Sequence, residues 1–377
     1  MNAALSRLDA RRAEAAEQFR TRGVPHRRVE AWKYSDLRQV TDADSVSTAG
    51  AAQWTIEHRS DDVEFVDLSG GTLPEWVRTH LGALKSDSAM GAASFAFAHA
   101  GFALRIPRGK SGEFRVNFAS AGQARVLIVL EEGASLRYVE VVPGGLEGLQ
   151  NIGAEVRVGE NAHFIHARTA LTSRKAVQIS DIAGTVARNG SYRLTSGAFG
   201  AELSRLELKL SLDGEGAEAH LAGVGVLADG THSDVTTHIV HASGNTRSTQ
   251  LFKNVAGGKS RAIYQGKITV AKGANGSDSR QTAKALLLGP RAEADLKPEL
   301  EIFADDVKCA HGAAVGDLDA DSMFYLRARG IPEHEARNLL IRAFLEEAVS
   351  EIANDELRAS LWQAVEDALP RTMEGRP

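Results

Sequence analysis

The stretch "EEGASLRYVE" at residues 131–140 sets a small turn before a run that alternates apolar and polar side chains. The same design returns as "GENAHFIHAR" at 159–168, "ARNGSYRLTS" at 187–196 and "DGEGAEAHLA" at 213–222. Ala134, Ala162, Gly190 and Ala217 hold the same place in each copy, so the design returns at an almost constant step. Alternation marks a strand, because successive strand side chains point to opposite faces. A strand that recurs at so regular a step predicts stacked β coils, each turn hydrogen-bonded to its neighbours. A β-sandwich with coincidental turns is the competing fold.

Working outward, short alternating runs dominate from about 91 to 310, among them "RVLIVL", "LRYVEVV", "AEVRVG", "LELKLSL" and "KITV". Helical periodicity is confined to the two ends. Residues 2–22 place Leu5, Leu8, Ala15 and Phe19 on one helical face, and Gly23 and Pro25 end the helix. The stretch 40–90 gives no firm assignment. After residue 316, Asp319 or Asp321 can cap a short helix through Met323, Phe324 and Leu326 that Gly330 ends. Pro332 suits the first turn of the next helix, whose expected apolar stripe is Leu339, Leu340, Ala343, Phe344, Ala348 and Ile352. Leu357, Leu361, Trp362, Val365 and Leu369 make a third. The expected organisation is mainly β: an N-terminal helical or mixed region at 1–90, a β-solenoid core at 91–316 and a C-terminal helical bundle at 317–377.

Hydrophobic residues at 43% and charged residues at 25% suit a globular chain with a substantial core. A net charge of -5 argues against general nucleic-acid binding, which needs surplus Lys and Arg to neutralise phosphates. No run of 18 apolar residues is present, so no membrane span is expected. The N-terminus mixes Arg with Glu14 and Glu17 and has no apolar signal core, and one cysteine cannot form an internal disulfide. These features predict a soluble, cytoplasmic protein.

Two phosphate-binding look-alikes fail on spacing. "GGKS" at 257–260 needs a glycine five residues before Gly258, where Lys253 stands, and "GVGVLADG" at 223–230 lacks its third glycine in phase. No nucleotide site is expected. His163 and His166, like His238 and His241, are three apart, an odd offset that sends strand side chains to opposite faces. His232 and His238 share parity, but nothing in sequence converges on them. The adjacent Asp305 and Asp306 would suit a β-helical carbohydrate-active enzyme only if both faced one cleft, which neighbouring strand positions do not.

Cys309 and His311, in "ADDVKCAHGAAVG" at 304–316, behave differently. An offset of two puts both on one strand face, roughly 6–7 Å apart. That spacing allows a shared metal ion, a thiol lowered by its imidazole neighbour, or simply a buried cysteine beside a chance histidine. An iron–sulfur cluster usually needs four protein ligands, and this chain has one thiol. A cluster held here would therefore need ligands from another subunit.

Four blocks in order carry a resemblance: "RVEAWKYSDLR" at 28–38, "GFALRIPRG" at 101–109, "QGKITVAKGANGSDSRQTAKALLLGP" at 265–290 and "LEIFADDVKCAHGAAVGDLDADSMFYLRARGIPEHEARNLLIRAFLEEAV" at 300–349. Together they resemble the SufB/SufD family of iron–sulfur cluster assembly proteins. The modest length and single cysteine are more similar to the SufD branch than to the longer, cysteine-richer SufB branch. The resemblance implies a right-handed parallel β-helix, a SufB-like subunit joined through it, and a SufC-like ABC ATPase. The ATPase would bind the C-terminal helices around Met323, Phe324, Tyr325, Leu326, Arg327, Gly330, Ile331, Arg337, Leu340 and Phe344. It also implies a non-catalytic scaffold role, with a transient iron or iron–sulfur cluster at the interface near His311 and Cys309. Ala310 stands between them where many relatives carry Ser. A reduced flavin is associated with such complexes, although no residue here places one, and self-association through the SufB-facing surface is the alternative.

Overall fold

The computed structural model describes residues 2–84, 87–352 and 354–373, with side chains from residue 7 to residue 372. Two strands lie in the N-terminal region, β1 (Trp54–Arg59) and β2 (Glu64–Asp67). The next eight are β3 (Gly101–Ile106), β4 (Ser111–Phe118), β5 (Gly122–Leu130), β6 (Ser135–Val142), β7 (Gly148–Val158), β8 (His163–Ala170), β9 (Ala176–Val186) and β10 (Ser191–Ala198). The last eight are β11 (Leu203–Leu212), β12 (Glu218–Leu227), β13 (His232–His241), β14 (Arg247–Ala256), β15 (Arg261–Val270), β16 (Ser277–Leu287), β17 (Glu293–Ile302) and β18 (Val307–Gly316).

From β3 onward the chain alternates between two sheets. The even strands β4 to β18 pair in parallel in one sheet and the odd strands β3 to β17 pair in parallel in the other. The product is a β-solenoid of about eight coils, one strand per sheet in each coil. The step from Ala134 to Ala162 and onward is thus one circuit of the solenoid, and its in-register pairs include Ser135↔His163 and Ser191↔Glu218. The turns explain why the repeat carries Asn or Gly. Gly133, Asn161, Asn189 and Gly216 adopt left-handed φ of 66°, 55°, 56° and 71°, a conformation that glycine and asparagine tolerate best. There each turn's amide reaches the following coil: Gly133 donates to Glu160 O at 2.8 Å, Asn161 to Arg188 O at 2.9 Å and Asn189 to Glu215 O at 3.0 Å.

The interior changes character along the axis. Near the N-terminal end it is aromatic and apolar, with Phe102, Phe114, Phe118, Tyr138, Phe164 and Tyr192 buried between the sheets. In the last coils it is polar, with Thr237, His241, Thr246, Ser248, Gln250, Ser279 and Gln281 all buried. Every such group must find a hydrogen bond inside the solenoid or cost free energy.

Helices cover both outer faces. The β zone expected from residue 91 opens at Gly101 because α4 (Ala89–Phe97) precedes it, after α1 (Asn2–Arg22), α2 (Ala43–Thr48) and α3 (Glu75–His80). Phe19, Trp32, Leu37, Val46 and Met90 pack on Val177, Ile179 and Leu203 of the odd-strand sheet. The block "RVEAWKYSD" has a physical role here. Trp32 lies over the Arg205 guanidinium at 4.0 Å, Ala31 O accepts from Arg205 at 2.7 Å, and Ser35 Oγ donates to Asp234. Arg205 and Asp234 are both fully buried and paired at 2.6 Å.

The opposite face carries α6 (Glu333–Val349) and α7 (Asp355–Met373), while α5 (Ala320–Ala328) buries none of its residues. The phase of α6 differs from the expected stripe. Ala336, Ile341, Leu345, Ala348 and Val349 are buried, whereas Leu339 and Ala343 are exposed and Leu340 and Phe344 are half-buried. Two apolar faces compete along this helix, and contact with Val224, Val226, Val255 and Leu288 on the solenoid selects the one that packs. The stripe of α7 is buried at Leu357, Leu361, Val365 and Leu369.

Candidate functional site at the open end of the solenoid

The two ends of the solenoid are finished differently. At the N-terminal end, β1 and β2 add antiparallel to β4 and β3. At the C-terminal end, among the described residues, β17 pairs only with β15 and β18 only with β16, so each presents one bare edge, as the antiparallel β1 and β2 do at the other end. A bare edge is a template for another chain, and natural folds usually charge or cover it. Here Ile302, Phe303 and Val315 are exposed beside it.

Cys309 and His311 lie in β18, on this last coil. Strand parity keeps them together as expected: Val307 and Cys309 turn toward the interior, and His311 follows on the same face. Cys309 is half-buried against a small apolar cluster containing Ile268 and Val270, while His311 is exposed. Register links both to earlier coils. Cys309 stands beside Ser279, which stands beside Ser248, and His311 stands beside Gln281, which stands beside Gln250. Ser248 Oγ and Ser279 Oγ are 2.7 Å apart, and Gln281 Nε2 donates to the Tyr264 hydroxyl at 2.8 Å. The site is therefore the last rung of two polar ladders. The ladders lie beyond Ala217, where the sequence repeat is less plain. Carried on, the count sets Ser248, Ser279 and Cys309 one circuit apart, and Gln250, Gln281 and His311 likewise.

One electrostatic expectation is reversed. The Cys309 thiol is pushed up from its ordinary value, first by burial and then by the Asp278 carboxylate, against a smaller downward pull from the Ser279 backbone. Burial and the neighbouring carboxylate both favour the neutral thiol over the thiolate. Among the described residues, no cluster of three or more His, Cys, Asp or Glu could hold a metal ion. The pair offers one sulfur and one nitrogen.

The other candidates separate. Asp305 and Asp306 lie exposed in the turn before β18. His163 is exposed and His166 is buried, as are His238 in part and His241 fully, on opposite faces as their spacing required. His166 bonds the Tyr192 hydroxyl at 2.9 Å and His241 bonds Thr246 and Ser248, so both are held as core groups. "GGKS" is an ordinary coil turn, with Gly257 N donating to Leu227 O at 2.9 Å. No helix among the described residues is long and apolar enough to cross a membrane.

A family model described as "SUF system FeS cluster assembly, SufBD core domain" matches residues 114–344, more than half of the chain. A second, described as "SufBD protein N-terminal region", matches residues 2–60. The chain belongs to the SufB/SufD family. The SufB/SufD core model thus runs from β4 through the candidate site into α6. The chain is 28% identical to the iron-sulfur cluster assembly protein SufD of Escherichia coli, over 94% of this chain and 91% of that one. An iron-sulfur cluster assembly SufBD family protein of Synechocystis is 33% identical over 64% of this chain and 56% of its own length. Protein ABCI7, chloroplastic, of Arabidopsis thaliana is 31% identical over 68% and 54%. The chain thus spans about half the length of these last two relatives.

Beyond the solenoid, the helical residues form a second surface. Phe324 and Tyr325 are 76% and 59% exposed, while Met323, Leu326, Ile331 and Arg337 are half-buried and Arg327 and Gly330 exposed. A groove of about 790 Å³ runs between α5, α6 and the end of β16, lined by Leu287, Leu318, Met323, Phe324, Arg327 and Arg337. Phe344 belongs less to this groove than to the solenoid contact: Lys253 Nζ sits 4.6 Å from its ring and donates to its carbonyl at 2.6 Å.

Proposed function

We propose that this chain is the SufD-type, non-catalytic scaffold subunit of an iron–sulfur cluster assembly complex, and that its open coil end is the half-site it presents to a SufB-type subunit. One observation carries the reading: the uncovered last coil brings two bare strand edges, exposed apolar residues and the Cys309–His311 pair to one place. Strand addition from a partner would satisfy the bare edges and bury Ile302, Phe303 and Val315. The same event would bring the missing ligands to a pair that offers only two.

In this reading iron and sulfide are cargo. His311 guides or ligates incoming iron through a bare ring nitrogen. Cys309 gives up its proton only when the cation is near, because metal binding favours the thiolate. A SufC-type ATPase docks on the exposed face of α5 and the groove beside it, with Phe324 and Tyr325 as aromatic anchors. ATP-driven movement of the SufC pair would pull on α5 and α6 and bias the seam between solenoids, with the energy set by contacts that differ between the two states.

Co-expression with SufB-type and SufC-type subunits tests this directly. His311→Ala should leave the complex intact while lowering its iron and sulfide content, and Cys309→Ala should give a milder loss. Unchanged loading in intact complex refutes the role of His311. Phe324→Ser should remove the ATPase from the complex without altering the fold. Gel filtration of the chain alone separates self-association through the same edge from a requirement for SufB.

A further inference from the structure

We infer that Gln281 is a positioning residue for His311: its unpaired side-chain oxygen is placed to accept a hydrogen bond from one imidazole N–H once that ring turns toward it, which leaves the other ring nitrogen bare at the open end. The inference rests on the reading of His311 given above and adds the group that orients it.

Gln281 is 1% exposed and in register with His311, on the same inward face of the neighbouring strand. Paired strands run about 4.8 Å apart, so these side chains occupy adjoining rungs. The amide is not free to turn. Its Nε2 donates to the Tyr264 hydroxyl at 2.8 Å, and that hydroxyl donates its only proton to Gln250 Oε1 at 3.2 Å. Gln250 Oε1 is itself held by Thr237 Oγ1 at 2.6 Å. Tyr264 then accepts from Gln281, which places the amide nitrogen on the hydroxyl. The opposite sheet makes room for this arrangement at Gly266. A Cβ there would lie 1.6 Å from Gln281 Nε2 and 2.4 Å from the Tyr264 hydroxyl.

What remains is Gln281 Oε1, a buried acceptor with no partner among the described residues. A buried oxygen left unpaired costs free energy that a donor would recover. The next rung offers the imidazole of His311, which is exposed and in register with Gln281. A neutral imidazole carries one N–H and one bare nitrogen. Donation to Gln281 therefore selects the tautomer and aims the bare nitrogen away from the interior, as hydrogen-bonded partners do for metal-binding histidines.

The test is the tautomer of His311 in the full chain without iron, read by ¹⁵N NMR with labelled histidine at about pH 8.5, about two units above the ordinary imidazole value. The His311 signal is identified by its loss in His311→Ala. Wild type should show one dominant tautomer, and Gln281→Met should shift the ratio roughly fivefold, the worth of one ordinary hydrogen bond. Tyr264→Phe, which keeps the amide but lets it turn, should shift the ratio too and decides the matter alone if Gln281→Met does not fold. The same ratio in wild type and folded variants overturns the inference. Because this readout needs neither iron nor partners, it fails separately from the loading experiment.

Discussion

Acidification should loosen the polar end of the solenoid through His241. This side chain is 0% exposed, with its ring nitrogens 2.7 Å from Thr246 Oγ1 and 2.9 Å from Ser248 Oγ. Burial drags its pKa down from 6.5 to about 4, opposed weakly by the Asp278 carboxylate. At neutral pH the ring is uncharged in both folded and unfolded chains, so it exerts no pH-dependent pull. Below pH 6.5 the unfolded chain takes up a proton that the folded chain refuses, and stability falls as pH falls. The slope approaches 1.36 kcal/mol per pH unit and ends near the folded value of about 4, for a total on the order of 3 kcal/mol. His232 and His238 are also held at about 4 by burial, so the informative quantity is a difference between proteins. Urea unfolding of wild type and His241→Gln, followed by circular dichroism between about pH 7 and about pH 4.5, measures it. The variant should be less stable by about 1 kcal/mol at neutral pH, from weaker hydrogen bonding. Its acid slope should be flatter by up to one proton's worth. Parallel profiles would refute the reasoning.

Three further outcomes follow from the packing. Gly266→Ala should destabilise the last coils by about 1–3 kcal/mol through overpacking against Gln281 and Tyr264, seen as a lowered Tm. Asp234→Ala should cost about 1.5–3 kcal/mol, because it leaves the fully buried Arg205 beneath Trp32 with Glu207 as its remaining carboxylate partner, and limited proteolysis should then cut the N-terminal segment faster. Leu345→Ala should cost about 2–5 kcal/mol and release α6 and α7 from the even-strand sheet, read as earlier protease cleavage after Gly316.

Much of the fold was legible because its causes are local. The alternation and the Asn- or Gly-bearing turns recur at one circuit of the solenoid, so counting Ala134, Ala162, Gly190 and Ala217 was already counting coils. The N-terminal strands were not legible. β1 and β2 pair antiparallel with β4 and β3, whose partner positions lie far along the chain, and short edge strands carry little pattern of their own. The expected stripe of α6 holds at Ala348 and, just beyond the helix, Ile352, but earlier in the helix Leu339, Leu340, Ala343 and Phe344 make as good a face as Ile341 and Leu345 until a solenoid face is there to choose.

By itself the sequence determined that Cys309 and His311 share a face, because side-chain parity in a strand depends on nothing beyond that strand. It also determined that one thiol falls short of the four protein ligands an iron–sulfur cluster usually takes, because cysteines can be counted without coordinates. Only the tertiary structure decided that the pair lies at the last coil, that burial and Asp278 raise the thiol, and that Gln281 stands on the adjoining rung with an unpaired oxygen. Those facts depend on register between strands a full circuit apart and on what the coil before and the absent coil after leave exposed. Neighbourhood of that kind arises only when the chain is wound.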